Sequence, residues 1–505
     1  MVYGGFDKKR LLPIHMTVAP SACLTLPPYE TVFQWLKVCQ HTAPRSRAET
    51  IVSLCFRLPR VDPLMVLLAL APEHQPQCYL ESPARSHAIA AWGSLLETRL
   101  EGRDRFQSAH QHLTQWQQRI LRPEAMAGPG PYFFNSFTFF NTVANPDPSL
   151  NLSHTQTDSE PMGSSPFAPG TLLLCPWQIV RQHQHCWAIA NLMLARHSSL
   201  EAVAHQICQQ MTRIVQVRGQ GRSGLRDSGR ASVPLQLSAP AAATFRDRVT
   251  QALKQIHGGH LSKQVVAYAL DVTSPRPWQR DWSLQRLRSQ HPDCYIFSFS
   301  TGEQAHFIGA SPERLLSIRQ GRLVTDALAG SAPRGATASE DHHIGQTLLN
   351  NPKEQSEHRL VVDFIVERLQ AQGLQPRYGT PPGLLRLSHI QHLHTPIGGD
   401  VPSHLSPLQL VAALHPTPAV AGVPTAAACE QIRQSEGGDR GLYAAPFGWI
   451  DSQGNSEFIV GIRSALLQGN RARLFAGAGI VAGSDPDREL AEIQLKLQAL
   501  AEALG

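Results

Sequence analysis

Two stretches of the chain carry paired carboxylates at a telling spacing. Glu354 and Glu357 are followed by Val361 and Phe364, and Glu489 and Glu492 by Ile493, Leu497 and Leu500. A three-residue spacing puts both acids of a pair on one helical face, and the apolar followers turn that face toward a core. Buried carboxylates without partners are costly or take up a proton, so four of them close together call for a cation. An all-oxygen donor set suits Mg²⁺, which takes a few carboxylates and keeps waters or substrate oxygens. Either pair alone is also what a solvated helix face looks like. Lys496 stands one turn beyond Glu492.

An arginine and two glycines supply a second kind of chemistry. Glu457–Leu467 and Arg471–Val481 read as the strands of a hairpin turning at Gln468-Gly469-Asn470. Arg463 then shares a face with Ile459, Gly461 and Ala465, where it either snorkels to water or grips an anion. Gly477 and Gly479 alternate on the partner strand, as expected where backbone or ligand must come close. Further back, Gly309-Ala-Ser-Pro-Glu313 reads as a small-residue turn ending on one carboxylate. Leu328-Ala-Gly-Ser-Ala-Pro-Arg-Gly335 follows, and at Gly330 and Ser331 no large side chain blocks a ligand.

These residues need a scaffold. At 505 residues, length alone suggests two or three domains. With 42% hydrophobic and 17% charged residues, the composition is that of a globular protein. The net charge of +6 is scattered, which disfavours nucleic-acid binding. Nine cysteines with no C-x-x-C pair suggest neither a disulfide framework nor a zinc site, and point to a cytoplasmic setting. No apolar run is long enough to span a bilayer.

Leu64–Ala71 reads as a buried helix or strand, Ser86–Leu121 as largely helical and Phe133–Asn141 as a strand. Thr171–Trp177 and Cys186–Leu194 read as two strands joined at Arg181–His185. Residues 144–170 read as a flexible polar insertion and 217–238 as a connector. Thr244–His257 is an amphipathic helix with Thr244 as its cap, ended by Gly258-Gly259. Leu261–Val272 is a strand with Lys263 near its start. Tyr295–Ser300 and His306–Ile308 are strands, while Asn350–Gln370 and Asp485–Leu504 are helices. Strands outnumber helices, and the fold class is α+β.

The assembled stretches resemble the chorismate-utilising enzymes. Eight occur in order: G-A-S-P-E (309–313), L-A-G-S-A-P-R-G (328–335), K-E-Q-S-E-H-R-L-V (353–361), H-P-T-P-A-V-A-G-V-P (415–424), G-L-Y-A-A-P-F-G-W (441–449), I-R-S-A (462–465), F-A-G-A-G-I-V (475–481) and E-L-A-E-I-Q-L-K (489–496). The resemblance is strongest over 244–504, looser over 131–194, and not evident in the first 125 residues. It implies one catalytic domain over 131–505, with two large β-sheets packed between helices, and residues 1–130 as an N-terminal region of the same enzyme. It also implies a monomer that binds chorismate without nucleic acid or membrane. Mg²⁺ would be held by Glu357 and Glu492, with Glu354 and Glu489 beside them, and would bind the ring carboxylate. Arg463, Tyr443 and the backbone at Gly477 and Gly479 would bind the enolpyruvyl carboxylate, with Lys496 near the metal end and His394 in the pocket.

Members of this family differ mainly in their nucleophile. Those adding water resemble this chain if Lys263 takes the lysine position of the strand that follows Gly258-Gly259; a shift of one residue would put Gln264 there and suggest ammonia. The longer match favours Lys263. Ala419, within Pro418-Ala-Val420, fits the isochorismate pattern, and Ala329 replaces the lysine frequent in aminodeoxychorismate synthases. Asp326 replaces a common glutamate, and Ala445 a usual glycine. The resemblance implies isochorismate synthesis, with Lys263 as base and Glu313 as acid, and the length of the N-terminal half leans toward quinone biosynthesis. Salicylate synthase, anthranilate synthase component I and an inactive scaffolding relative are the alternatives.

Overall fold

The computed structural model describes residues 26–44, 49–123, 126, 128–141, 165–217, 237–388, 390–436 and 439–504. Among these, twelve strands form one sheet and ten form a second. The site-bearing half of the larger sheet runs Gly422–Val423, Lys263–Thr273, Arg471–Val481, Ser464–Gln468, Ala305–Ser311, Tyr295–Ser300. Strands from the first 125 residues complete it: Gln77–Ser82 pairs with Tyr295–Ser300, and Glu49–Leu58 lies near the far edge. The smaller sheet is built around Ile390–Asp400, Arg322–Pro333, Arg314–Arg319, Ser456–Val460 and Pro446–Asp451. Strands from both halves of the chain thus share both sheets, and the several domains suggested by length give way to one architecture.

Two apolar cores fix these layers. The first joins residues of both sheets, among them Phe134, Phe297, Phe307, Phe447 and Phe458, with Val361 and Ile365 of the helix Pro352–Ala371. The second joins the larger sheet to helices, including Phe245 and Val249 of Ala239–His257 and Ile493 and Leu497 of Pro486–Leu504. Burial of each such side chain contributes about 2 kcal/mol. Among the described residues no helix is long and apolar enough to cross a membrane.

Several expected elements are redrawn. Ser86–Leu121 holds the strands His87–Trp92 and Leu96–Leu100 before the helix Arg105–Gln117. The alanines of His87–Trp92 favour a helix locally, but pairing with strands on both sides overrides that preference. Thr171–Cys186 resolves into Gly170–Leu174 and Trp177–Gln182, with His185–Ala195 following. The helix given to Thr244–His257 starts at Ala239: the Ser238 side chain accepts from the Ala241 amide, and Thr244 bonds the Pro240 carbonyl from inside the helix. Residues 144–164 of the expected insertion and 218–236 of the connector lie outside the described residues. Phe167, at the insertion's end, is buried with its ring 5.5 Å from that of Phe299, so that end belongs to the core.

Candidate active site

The stretch read as a turn, Gly309–Glu313, is mostly strand, and the Leu328–Gly335 stretch lies largely in the strand Arg322–Pro333. Gly309–Ser311 ends a strand of the larger sheet, and only Pro312 and Glu313 separate it from Arg314–Arg319 in the smaller one. The hairpin expected over Glu457–Val481 is likewise divided. Ser456–Val460 belongs to the smaller sheet and Ser464–Gln468 to the larger, and only the latter pairs with Arg471–Val481. Between them Arg463 takes φ +49. Strand alternation therefore does not decide its direction, and the face shared with Ile459 and Ala465 is not formed.

At these two places the chain crosses between the sheets, and Glu313 and Arg463 stand at the crossings. The crossings are tied together: the Val460 amide donates to the Glu313 carbonyl at 3.1 Å, and the Ala310 amide to the Arg463 carbonyl at 3.1 Å. Ser311 Oγ donates to the Val460 carbonyl at 2.6 Å. A side chain at Gly309 would meet the Arg463 carbonyl at 2.6 Å, so the close approach needs glycine there.

A cavity of about 130 Å³ opens beside this seam. Lys263, Glu313, Gly330, Ser331, Glu357, Ala419, Tyr443, Arg463, Gly477, Gly479, Glu492 and Lys496 all line it. Gln264 does not, so at the start of the Lys263–Thr273 strand the lysine is the residue that reaches the cavity. Gly330 sits at a bulge in Arg322–Pro333 with φ +75, where a side chain would press on Glu354. The bulge re-aims Ser331, whose hydroxyl donates to Glu492 at 3.3 Å. A Cβ at Gly479 would stand 2.6 Å from Glu357 Oε1, and one at Gly477 2.7 Å from Tyr443 Oη. Both glycines therefore hold space for neighbouring polar side chains.

Two helices bring in the carboxylates. Pro352–Ala371 starts where the Asn351 side chain accepts from the Lys353 and Glu354 amides, and Pro486–Leu504 where Asp485 accepts from the Asp487 and Arg488 amides. Glu357 Oε1 pairs with Lys263 Nζ at 2.8 Å, the lysine side chain being 1% exposed. Glu492 pairs with Lys496 at 2.7 Å, and Lys496 also donates to the Gly477 carbonyl at 2.8 Å. Glu354 and Glu489 stand behind the cavity wall. Lys353 lies 3.6 Å from each, and the Ser331 amide donates to Glu354.

The acids differ in their electrostatics. Burial pushes Glu313 up to about 8, with Lys263 opposing and Asp326 adding to the shift. Glu489 is pushed up to about 7, by burial first and then by repulsion from Glu492. Glu354 is raised by burial and by Glu357. Glu492 is lowered, because Lys496, Ser331 and Lys353 outweigh its burial.

The donor set fits a hard cation: it is all oxygen, and its members repel one another. Among the described residues no three His, Cys, Asp or Glu side chains converge as a ready-made metal site. Glu357 and Glu492, the two of these carboxylates that line the cavity, are the ones that would hold a Mg²⁺ ion, with water or substrate oxygens as its other ligands.

One assignment moves. His394 does not line the cavity; it bonds Asp326 at 2.8 Å, and Asp326 in turn pairs with Arg314. His392, two residues earlier on the same strand, lines it instead, with Nε2 3.1 Å from Arg463 Nη2. Arginine only donates, so His392 Nε2 accepts. Burial, then the charges of Arg463 and Lys496, hold His392 well below its ordinary range and so neutral. The strand alternation puts His392 and His394 on one face and does not choose between them. Their partners separate them: His392 reaches Arg463, whereas His394 is taken up by Asp326.

A family model described as chorismate binding enzyme matches residues 37–505. The chain belongs to the chorismate-binding enzymes. It is 36% identical over 459 residues to the salicylate biosynthesis isochorismate synthase of Pseudomonas aeruginosa, a match covering 90% of each chain. It is 41% identical over 257 residues to isochorismate synthase MenF of Bacillus subtilis, covering 51% of this chorismate-binding enzyme and 54% of the relative. Among solved structures, that of MenF, the menaquinone-specific isochorismate synthase from Escherichia coli, aligns with a TM-score of 0.69 at 26% identity, over 95% of this chain and all of that one.

Proposed function

We propose that this enzyme is a Mg²⁺-dependent isochorismate synthase, isomerising chorismate by water attack at C2 and loss of the C4 hydroxyl. One observation carries the reading: Lys263 and Glu313, a buried amine and a buried carboxyl mounted on different elements, line the same cavity. In its uncharged form, released from the ion pair with Glu357, Lys263 Nζ accepts the proton of the water as its oxygen bonds to C2. Glu313, protonated at neutral pH by virtue of its burial, gives its proton to the C4 oxygen, which leaves as water. Substrate and product are isomers, and a proton returned from Lys263 to Glu313 through solvent resets the pair.

Arg463, whose cavity-side partner is the neutral His392, keeps its charge available for the enolpyruvyl carboxylate. Tyr443 and the Gly477–Gly479 backbone border the same space. Glu357 and Glu492 would hold the Mg²⁺, which when bound supplies charge for the ring carboxylate and orients it. The presence of Lys263 rather than Gln264 in the cavity supports water over ammonia as the nucleophile.

The length of the N-terminal half does not separate the pathways. The relative aligned over 90% of each chain is named for salicylate biosynthesis, and the structure aligned over 95% of this chain is menaquinone-specific. The reading is tested by incubating the pure protein with chorismate and Mg²⁺ and resolving the products by chromatography. Isochorismate alone is expected. Salicylate with pyruvate would show a further elimination, anthranilate with ammonia would move the nucleophile, and no product would overturn the reading in favour of a scaffolding role.

A further inference from the structure

The strand that carries Lys263 has an almost unpaired edge. On one side it pairs with Arg471–Val481 along its whole length; on the other, Gly422–Val423 covers only Lys263 and Gln264. Beyond that point the edge groups of Val265 and Ala267 are buried and need partners. Each finds one outside any strand. The Val265 amide donates to the Ala421 carbonyl at 2.7 Å, and the Val265 carbonyl accepts from Arg440 Nη2 at 3.1 Å. The Ala267 amide donates to Glu436 Oε1 at 2.9 Å, and its carbonyl accepts from Arg248 at 3.3 Å.

Arg440 and Glu436 form a bidentate buried pair, at 2.8 and 2.6 Å, with side chains 3% and 7% exposed. Arg440 Nη1 reaches the Val420 carbonyl at 2.7 Å, next to Ala419 in the cavity wall. Its guanidinium lies 4.4 Å above the Phe139 ring and 6.0 Å from that of Tyr443. A planar, five-donor group can make all these bonds at once, whereas a lysine cannot.

We propose that Arg440 and Glu436 form a positioning unit that replaces the neighbouring strand along Val265–Ala267. Through it the base strand and the Ala419–Val420 turn are held in one register, so that Lys263 meets a substrate whose far side rests on Ala419. Arg440 touches no reacting atom and acts through Lys263 and the turn. This rests on the reading of Lys263 as the base.

The test measures kcat and KM for chorismate, and hydrogen exchange across residues 263–268, in Arg440→Lys, Arg440→Met and Glu436→Gln. Arg440→Lys is expected to lower kcat at least tenfold with KM within about threefold, because Arg463 and Lys496 are untouched. In Arg440→Met the Ala267 amide should exchange at least tenfold faster, while the Val266 and Tyr268 amides, paired to Arg471–Val481, stay protected. Glu436→Gln retains an acceptor oxygen for Ala267 and should lose less activity than Arg440→Met. If Arg440→Met does not fold, Arg440→Lys decides alone. Wild-type kcat in folded Arg440→Lys, or faster Ala267 exchange with kcat unchanged, overturns the proposal. A wild-type enzyme that turns over no chorismate would instead sink the functional reading, and the exchange pattern would still decide whether the pair braces the strand.

Discussion

Replacing Glu313 with glutamine should abolish turnover and also change how stability depends on pH. In the fold, burial moves this carboxyl from 4.5 up to about 8, so the protonated form is the one the folded state prefers. A raised carboxyl pKa leaves stability intact below the unfolded value and removes it as pH climbs through the folded one. At about 1.4 kcal/mol for each pH unit, the full loss is on the order of 5 kcal/mol, and about 4 kcal/mol of it falls between about pH 5 and about pH 8.5. Glu313→Gln carries no such titration. For a chain of 505 residues, an unfolding entropy of about 2 cal/mol/K per residue makes 1 kcal/mol worth about 1 °C. The melting temperature of the variant minus that of the wild type should therefore grow by about 4 °C between about pH 5 and about pH 8.5. Scanning calorimetry of the two proteins at matched ionic strength reads this directly. A difference that stays flat across the window would refute a buried, protonated Glu313, and the acid role with it.

Lys263→Ala should abolish turnover and cost about 3 kcal/mol in stability, since it strands the buried Glu357 carboxylate; a combined Lys263→Met and Glu357→Gln variant should recover most of that loss in a melt. Gly479→Ala places a methyl group 2.6 Å from Glu357 Oε1 and should lower kcat/KM at least tenfold, an unchanged value showing that the ion pair has room to move. Chelation by EDTA should stop turnover and added Mg²⁺ restore it, with Glu357→Gln and Glu492→Gln each needing more Mg²⁺ for half-maximal rate; full activity in EDTA would exclude the metal.

Much of this site is visible in the sequence, because its parts are local. The three-residue spacing of Glu354–Glu357 and Glu489–Glu492, with apolar residues continuing the stripe, places both helices correctly. It does not tell which member of each pair faces the cavity, because that depends on the rotation of a helix against sheets far away in sequence. Arg463 stands out in the sequence as an anion-binding candidate, but the reason for its direction does not. A crossover between sheets interrupts the alternation, and Gly461 is the one local sign of it. His392 and His394 are equivalent in the sequence, because histidines at strand spacing share a face and only their distant partners, Arg463 and Asp326, tell them apart. His87–Trp92 is not legible as a strand, because its alanines carry no strand preference of their own and its conformation is imposed by neighbouring strands from elsewhere in the chain.

The paired crossings at Glu313 and Arg463 have a mechanical consequence. With two residues joining the sheets at one crossing, three at the other, and hydrogen bonds lacing the two together, the layers are tied there by main chain in both directions. On the proposed reading, Glu313 and Arg463 thus sit where the backbone is tied to both sheets, whereas Glu357 and Glu492 reach the cavity from two separate helices.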